Sequence, residues 1–242
     1  MDRAAFYAAV RASRLFGSSL AQRQVDGIEY ILDAAEHRGT PLQCLAYVLA
    51  TAWHETARTM QPIDEYGHGH GRQYGRPVGP YGKIYFGRGF VQLTWLSNYE
   101  KASAELGVDL VRFPEKALEL GNATLILFAG MEHGWFTARK LADYIGPNGV
   151  DYPNARRIIN GIDQAEKIAG YARGFEAALR QANYGQVQQP SPAPEPARAP
   201  ETPAAPPLDT FPPLTPAPAA AGTAGVLAML ISLIASLFGR KA

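Results

Sequence analysis

Apolar positions recur at three- and four-residue spacing from the N-terminus to about residue 37, which predicts two amphipathic helices. The second runs over roughly 21–37, with Val25, Ile28, Ile31, Leu32 and Ala35 on one face. Gly39 and Pro41 break the pattern before a third helix at about 42–56, LQCLAYVLATAWHET, which is apolar almost all round and so predicts a central buried helix. A polar break at 58–62 leads to Asp64, Glu65 and a stretch with eight glycines from Gly67 to Gly89, which cannot continue as a regular helix. Residues 84–94, IYFGRGFVQLT, alternate briefly in the manner of a strand and predict a small hairpin or an extended wall. Helical spacing then returns over 99–106, 114–134, 139–145, 155–160 and 162–183, with Pro114 and Glu115 suited to a helix start. The expected fold is mainly α, with strand content confined to the glycine-rich region and a globular domain over 1–185.

At residue 186 the composition changes. Twelve of the 33 residues of 186–218 are proline, so this segment cannot build a core and is expected to be a disordered, extended linker, up to roughly 100 Å long at about 3.1 Å per residue. Residues 219–238 form an uncharged run of 20, followed by Arg240 and Lys241. A helix of that length spans about 30 Å, so it is expected to cross a membrane and anchor the protein there; a buried or oligomerising helix is the other reading. The N-terminus carries Asp2, Arg3, Arg11 and Arg14 and no continuous apolar core, so no signal peptide is expected there. The basic flank favours an external globular domain, the missing signal argues against it, and the topology stays open.

Composition narrows the function. A net charge of +1 gives no sign of a nucleic-acid partner. The single cysteine, Cys44, excludes an internal disulfide, and its apolar surroundings suit a buried thiol better than a nucleophile. From Glu55 to Tyr99 the carboxylates are Glu55, Asp64 and Glu65, set among Arg58, Arg72, Arg76, Lys83 and Arg88.

Glu55 stands at the end of the apolar helix beside Trp53, where lost solvation favours the neutral form that a general acid requires. Glu65 follows a proline at the edge of a polar loop, where water and cations can keep it ionised. Such asymmetry suits acid-plus-base hydrolysis of a glycosidic bond, with carboxyls about 6.5–9.5 Å apart for inversion. Equally, Glu55 is readable as a local backbone cap and Glu65 as a solvated loop acid. Gln92, Thr94 and Asn98, interleaved with Tyr85, Phe86, Phe90, Trp95 and Tyr99, combine hydrogen-bonding groups with ring platforms as sugar clefts do, although core burial accounts for about half of these rings. Asn160 is either a helix-end residue before Gly161 or a cleft residue. His54, His68 and His70 offer a zinc alternative, but Arg58 replaces the second histidine of an HExxH motif, and no metal or cofactor is expected. A G-x-S-x-G nucleophile motif is absent.

HET at 54–56, PIDEYG at 62–67, YFGRGFVQLTWLSNY at 85–99 and ARRIING at 155–161 resemble the family 19 glycoside hydrolases, which comprise plant-type chitinases and lysozyme-like endolysins of bacteriophages. The resemblance covers about residues 20–180. It implies a lysozyme-like, two-lobed, mainly helical fold and an inverting mechanism, with Glu55 as general acid and Glu65 as general base. It also implies that Tyr85, Gln92, Thr94, Asn98 and Asn160 contact substrate, Thr94 standing where many chitinases have serine. Lys167 lies where plant members tend to have an arginine, and that role is not carried over. The expectation is a membrane-tethered, peptidoglycan-degrading endolysin or muramidase with a monomeric catalytic domain. A chitinase, a zinc-dependent wall peptidase and a non-catalytic sugar-binding protein are the alternatives.

Overall fold

The computed structural model describes residues 1–17 and 19–186. The linker expected at 186–218 falls outside the described residues except for Gln186, and the membrane helix expected at 219–238 lies wholly outside them. Among the described residues no helix is long and apolar enough to cross a membrane.

Local chemistry sets the helix ends. Helix α1, Arg3–Ala12, begins at Asp2, whose carboxylate accepts a hydrogen bond from the Ala5 N–H at 2.9 Å. Helix α2, Gln22–Arg38, begins where the Gln24 side chain accepts from the Ala21 N–H and stops at Gly39, whose left-handed φ of 62° lets the chain turn without a Cβ clash. Helix α3, Leu42–Glu55, follows Pro41 and is buried continuously from Cys44 to Trp53. It is the hub of the core, packing chiefly against α7, Ala165–Gln181, which buries Ile168, Ala169, Ala172, Phe175, Ala178 and Leu179 on one face. Each fully buried Leu, Ile or Phe stabilises the fold by about 1.5–3 kcal/mol relative to exposure. Trp53 meets the edge of Tyr171 with ring centroids 4.1 Å apart, and Phe16 closes on Trp53 at 5.9 Å.

The strand content is slight. Strand β1, Ile63–Asp64, pairs antiparallel with β2, Arg88–Gly89, in the register Ile63↔Gly89 and Asp64↔Arg88. A bridge between Arg88 and Leu93 folds 88–93 back on itself, which realises the expected hairpin. Helix α4, Leu96–Leu106, begins three residues ahead of the expected start, directly after Trp95 at φ 75°, and ends at Gly107.

Three expectations are corrected. The helix expected over 114–134 is two elements, a 3-10 turn at Pro114–Leu118 and helix α5, Leu120–His133, because Glu119 is extended with ψ 129°. In 139–145 a 3-10 turn at Leu141–Asp143 replaces the expected helix. Strand content also reaches beyond the glycine-rich region: β3, Ile145–Gly146, pairs with β4, Gly149–Val150, across Pro147 and Asn148. The Gly-Pro-Asn-Gly run is the turn signal that decides against the helix there, with Gly149 at φ 152°. Helix α6, Tyr152–Ala155, is a single turn capped by Asp151 and continues into a 3-10 turn at Arg156–Ile158.

Candidate active site

Glu55 ends α3 and points at a cation that sequence spacing does not show. The Arg156 Nη1 donates to Glu55 Oε1 at 2.5 Å, across 101 residues of chain. Arg156 is almost completely buried, its side chain 6% exposed against 18% for Glu55, and its Nε also donates to the Asp163 carbonyl at 3.1 Å. Glu55 thus has a charged partner as well as lost solvation. Burial without a partner would be severe for either charge, and the pairing offsets it for both. Neighbouring His54 is half-buried, and burial holds its imidazole below the ordinary histidine range. Glu55 opposes that shift, while Arg156 and Lys167 add to it.

Glu65 is held by the β1–β2 pair. Its backbone N–H donates to the Gly87 carbonyl at 2.7 Å, and the Gly87 N–H donates back to Glu65 Oε2 at 3.0 Å. The other oxygen, Oε1, accepts from the Tyr74 hydroxyl at 2.7 Å. That hydrogen bond to Glu65 pushes the Tyr74 phenol above its ordinary range. Tyr74 arrives there on a tight turn at Gln73–Gly75, where a Cβ on Gly75 would lie 1.8 Å from the Gly69 carbonyl oxygen, so only glycine admits this approach. Gly87 serves the same purpose beside the carboxylate. A Cβ there would meet Gln92 Oε1 at 2.9 Å and Glu65 Cβ at 3.3 Å, so Glu65 and Gln92 flank one glycine.

The YFGRGFVQLTWLSNY segment is a tightly bonded knot. Buried Arg88 lies over the Phe86 ring at 3.6 Å, donates to the Ile84 carbonyl and the Tyr99 hydroxyl, and pairs with Asp64 at 3.4 Å. Tyr99 in turn donates to the Phe86 carbonyl at 2.9 Å, and its phenol is pushed up to about 12, chiefly by burial. Arg88, counted in the sequence among the cations of the site, is therefore bound up in the fold. Gln92 donates to the Ile63 and Gly89 carbonyls, Thr94 to the Gln92 carbonyl at 2.7 Å, and Asn98 to the Thr94 carbonyl at 2.9 Å. Tyr85 is fully buried and its hydroxyl donates to the Val111 carbonyl at 2.8 Å.

Beside this knot lies a concavity of about 370 Å³, lined in part by Gln73, Tyr74, Tyr85, Trp95, Ser97 and Glu100. Trp95 is 45% exposed and meets the edge of the Tyr74 ring at 5.3 Å, a platform of the kind that apolar sugar faces use. Asn160 is exposed, and its Oδ1 accepts from the Gly161 N–H at 2.8 Å, which is the helix-end arrangement; its own N–H donates to the Arg156 carbonyl. Of the sequence candidates, then, Gln92, Thr94 and Asn98 are linked in series by hydrogen bonds, and Glu65 lies next to Gln92 across Gly87. Glu55 bonds the Arg156 guanidinium, whereas Asn160 reaches only the backbone carbonyl of Arg156.

Arg156 and Tyr74 are the two residues that the sequence reading did not select. Arg156 stands within the ARRIING block, and its double arginine was the available signal; Tyr74 was one aromatic in a glycine-rich loop, with nothing to single it out. The histidines do not assemble: His68 stacks on Phe86 at 4.7 Å, His54 lies 6.4 Å from Tyr171, and no group of three or more metal-ligating side chains occurs among the described residues.

The comparisons with known proteins bear on this mainly helical fold with its two separately held carboxylates and ring-lined concavity. Chitinase C from Streptomyces griseus has the same fold, with a TM-score of 0.50 and 21% identity over 73% of this chain and 75% of that one. A bacterial family 19 chitinase aligns with a TM-score of 0.46 and 22% identity over 71% of this chain and 93% of that one. In sequence, 87 residues, 36% of the chain, are 36% identical to an endochitinase of Arabidopsis thaliana, and the match spans 30% of that relative's length. No family model matches the chain. A stretch of this chain is thus similar in sequence to one chitinase, and its fold is similar to that of another.

Proposed function

We propose that residues 1–185 are a glycoside hydrolase that cleaves β-1,4 bonds of an aminosugar polymer with inversion. Glu55 is the general acid and gives its proton to the leaving glycosidic oxygen. Glu65 is the general base and takes a proton from the water that attacks the anomeric carbon from the opposite face. The observation that carries the reading is the different setting of the two carboxyls. Glu65 accepts hydrogen bonds at both oxygens, from Tyr74 and Gly87, which suits a fixed carboxylate. Glu55 is held through Oε1 by Arg156, and its Oε2 makes no hydrogen bond among the described residues, which leaves that oxygen open toward a substrate. Gln92, Thr94, Asn98, Tyr85 and Asn160 are proposed to bind or shape the substrate, and the scheme uses no metal or cofactor.

Peptidoglycan is the proposed polymer, and the protein a lytic enzyme of the endolysin or muramidase type. The uncharged segment 219–238, behind a proline-rich stretch, supports a tether that holds the hydrolase at a membrane facing the wall. Chitin is the second reading, because the relatives named above are chitinases. Digests of peptidoglycan and of chitin oligomers, with new reducing ends identified by mass spectrometry, test both. Cleavage of neither polymer overturns the proposal. Deleting 219–242 is expected to move the protein from membrane to soluble fractions; no movement refutes the tether.

A further inference from the structure

The glycine-rich region carries a charge imbalance that the two-carboxylate scheme does not use. From Tyr66 to Tyr99 there are four cations and no acid. Arg88 is buried against Asp64 and Phe86. Arg72, Arg76 and Lys83 are exposed, and no ion pair among the described residues engages them.

Their placement is not scattered. Arg72 and Arg76 bracket the Gln73–Gly75 turn, whose Gln73 and Tyr74 line the concavity and whose Tyr74 holds Glu65. Lys83 pairs through its backbone with Val78, another lining residue. Arg112 adds a further exposed cation, 5.9 Å from the Tyr81 ring on the same loop. Arg72, Arg76 and Lys83 therefore stand on or beside the loop segments that line a concavity whose own lining includes one acid, Glu100.

A neutral polymer offers such a rim hydrogen-bond acceptors but no opposite charge. We infer that the Arg72–Arg76–Lys83 rim selects an aminosugar polymer that carries carboxylates, as peptidoglycan does on its stem peptides, over a neutral one such as chitin. The inference rests on the glycosidase reading and assigns its substrate class. Exposed cations act over about one Debye length, roughly 10 Å at 0.1 M salt, so the rim draws in and orients an anionic strand beside Glu65 and fades as salt rises.

Sedimentation of the full-length protein with teichoic-acid-free sacculi tests the inference. Native sacculi are compared with sacculi whose carboxyl groups have been amidated, at low and high NaCl. Binding to native sacculi is expected to weaken steeply with salt, and amidated sacculi to bind poorly at every salt. The Arg72→Ala/Arg76→Ala/Lys83→Ala variant should bind native sacculi about tenfold less, the scale for three exposed charge contacts, while Arg72→Lys/Arg76→Lys retains binding. The ratio of peptidoglycan turnover to chitin-oligomer turnover should fall by a similar factor. Equal binding of native and amidated sacculi, or undiminished binding by the triple alanine variant, overturns the inference. Release of reducing ends in the same tubes reads the glycosidase proposal separately: charge-dependent binding without cleavage removes the hydrolase reading alone.

Discussion

Arg156 and Glu55 form a hydrogen-bonded ion pair at 2.5 Å that joins the end of the central helix to a turn 101 residues later in the chain. Both side chains are largely withdrawn from water. Arg156→Met should therefore leave an uncompensated carboxylate and destabilise the domain by about 3 kcal/mol, the lower end for broken buried pairs because Glu55 keeps some exposure. Glu55→Gln in the Arg156→Met background should recover part of the loss. Urea titrations of the four proteins of this cycle measure the coupling, and additive effects would show that the pair contributes nothing.

Tyr74→Phe removes the hydroxyl that donates to Glu65 at 2.7 Å, and the ring stays in place. Turnover should fall about tenfold, in line with losing a hydrogen bond to a charged group. The turn is peripheral to the core, so Tm should move by less than about 3 °C. A large drop in Tm with unchanged turnover would make the hydroxyl a structural group.

Gly87→Ala tests the close packing of the base. The new methyl would press on Gln92 Oε1 and on Glu65 Cβ, at 2.9 and 3.3 Å. Overpacking of this kind destabilises by about 1–3 kcal/mol, and the displacement falls directly on two proposed site residues. Activity at temperatures well below Tm should fall at least about tenfold, whereas unchanged kinetics would detach Glu65 and Gln92 from the chemistry.

His54 gives a pH signature. Burial lowers its affinity for protons in the folded state, so between the folded value and the unfolded value near 6.5 the unfolded chain binds more protons. Stability is then fully present above about pH 6.5 and declines as the pH falls below it. Thermal melts of wild type should lose Tm from pH 7.5 to 5.5 more steeply than melts of His54→Gln. Parallel curves would assign the pH dependence to other groups.

Much of this architecture was legible along the chain. The all-round apolar character of 42–56 marks it as the buried hub, and Gly39, Gly107 and Gly134 stop their helices at left-handed positions. The order HET, PIDEYG, YFGRGFVQLTWLSNY brings Glu65 and Gln92 to one glycine through a two-residue strand pair. Contacts that close over long loops were not legible. Arg156 reaches Glu55 across 101 residues of chain, and periodicity says nothing about such a meeting. Tyr74 finds Glu65 because Gly69 and Gly75 touch backbone to backbone, a geometry that counting glycines does not reveal. The 139–145 stretch misled because a short apolar pattern fits a helix as well as a turn, and the deciding Gly-Pro-Asn-Gly signal lay just beyond it. Arg88 was misjudged for a related reason. A cation next to aromatics reads as a site residue until its burial under Phe86 and its bonds to Tyr99 and Ile84 are seen.

The central claim is that Glu55 and Glu65 are the acid and base of a glycoside hydrolase. Wild type, Glu55→Gln and Glu65→Gln, each shown folded by its melting curve, should be compared for reducing ends released from peptidoglycan and from chitin oligomers. The account predicts that each substitution lowers turnover by at least about 100-fold on whichever polymer the wild type cuts, the scale of removing a general acid or base. A Glu55→Gln protein that cuts as fast as wild type would contradict it.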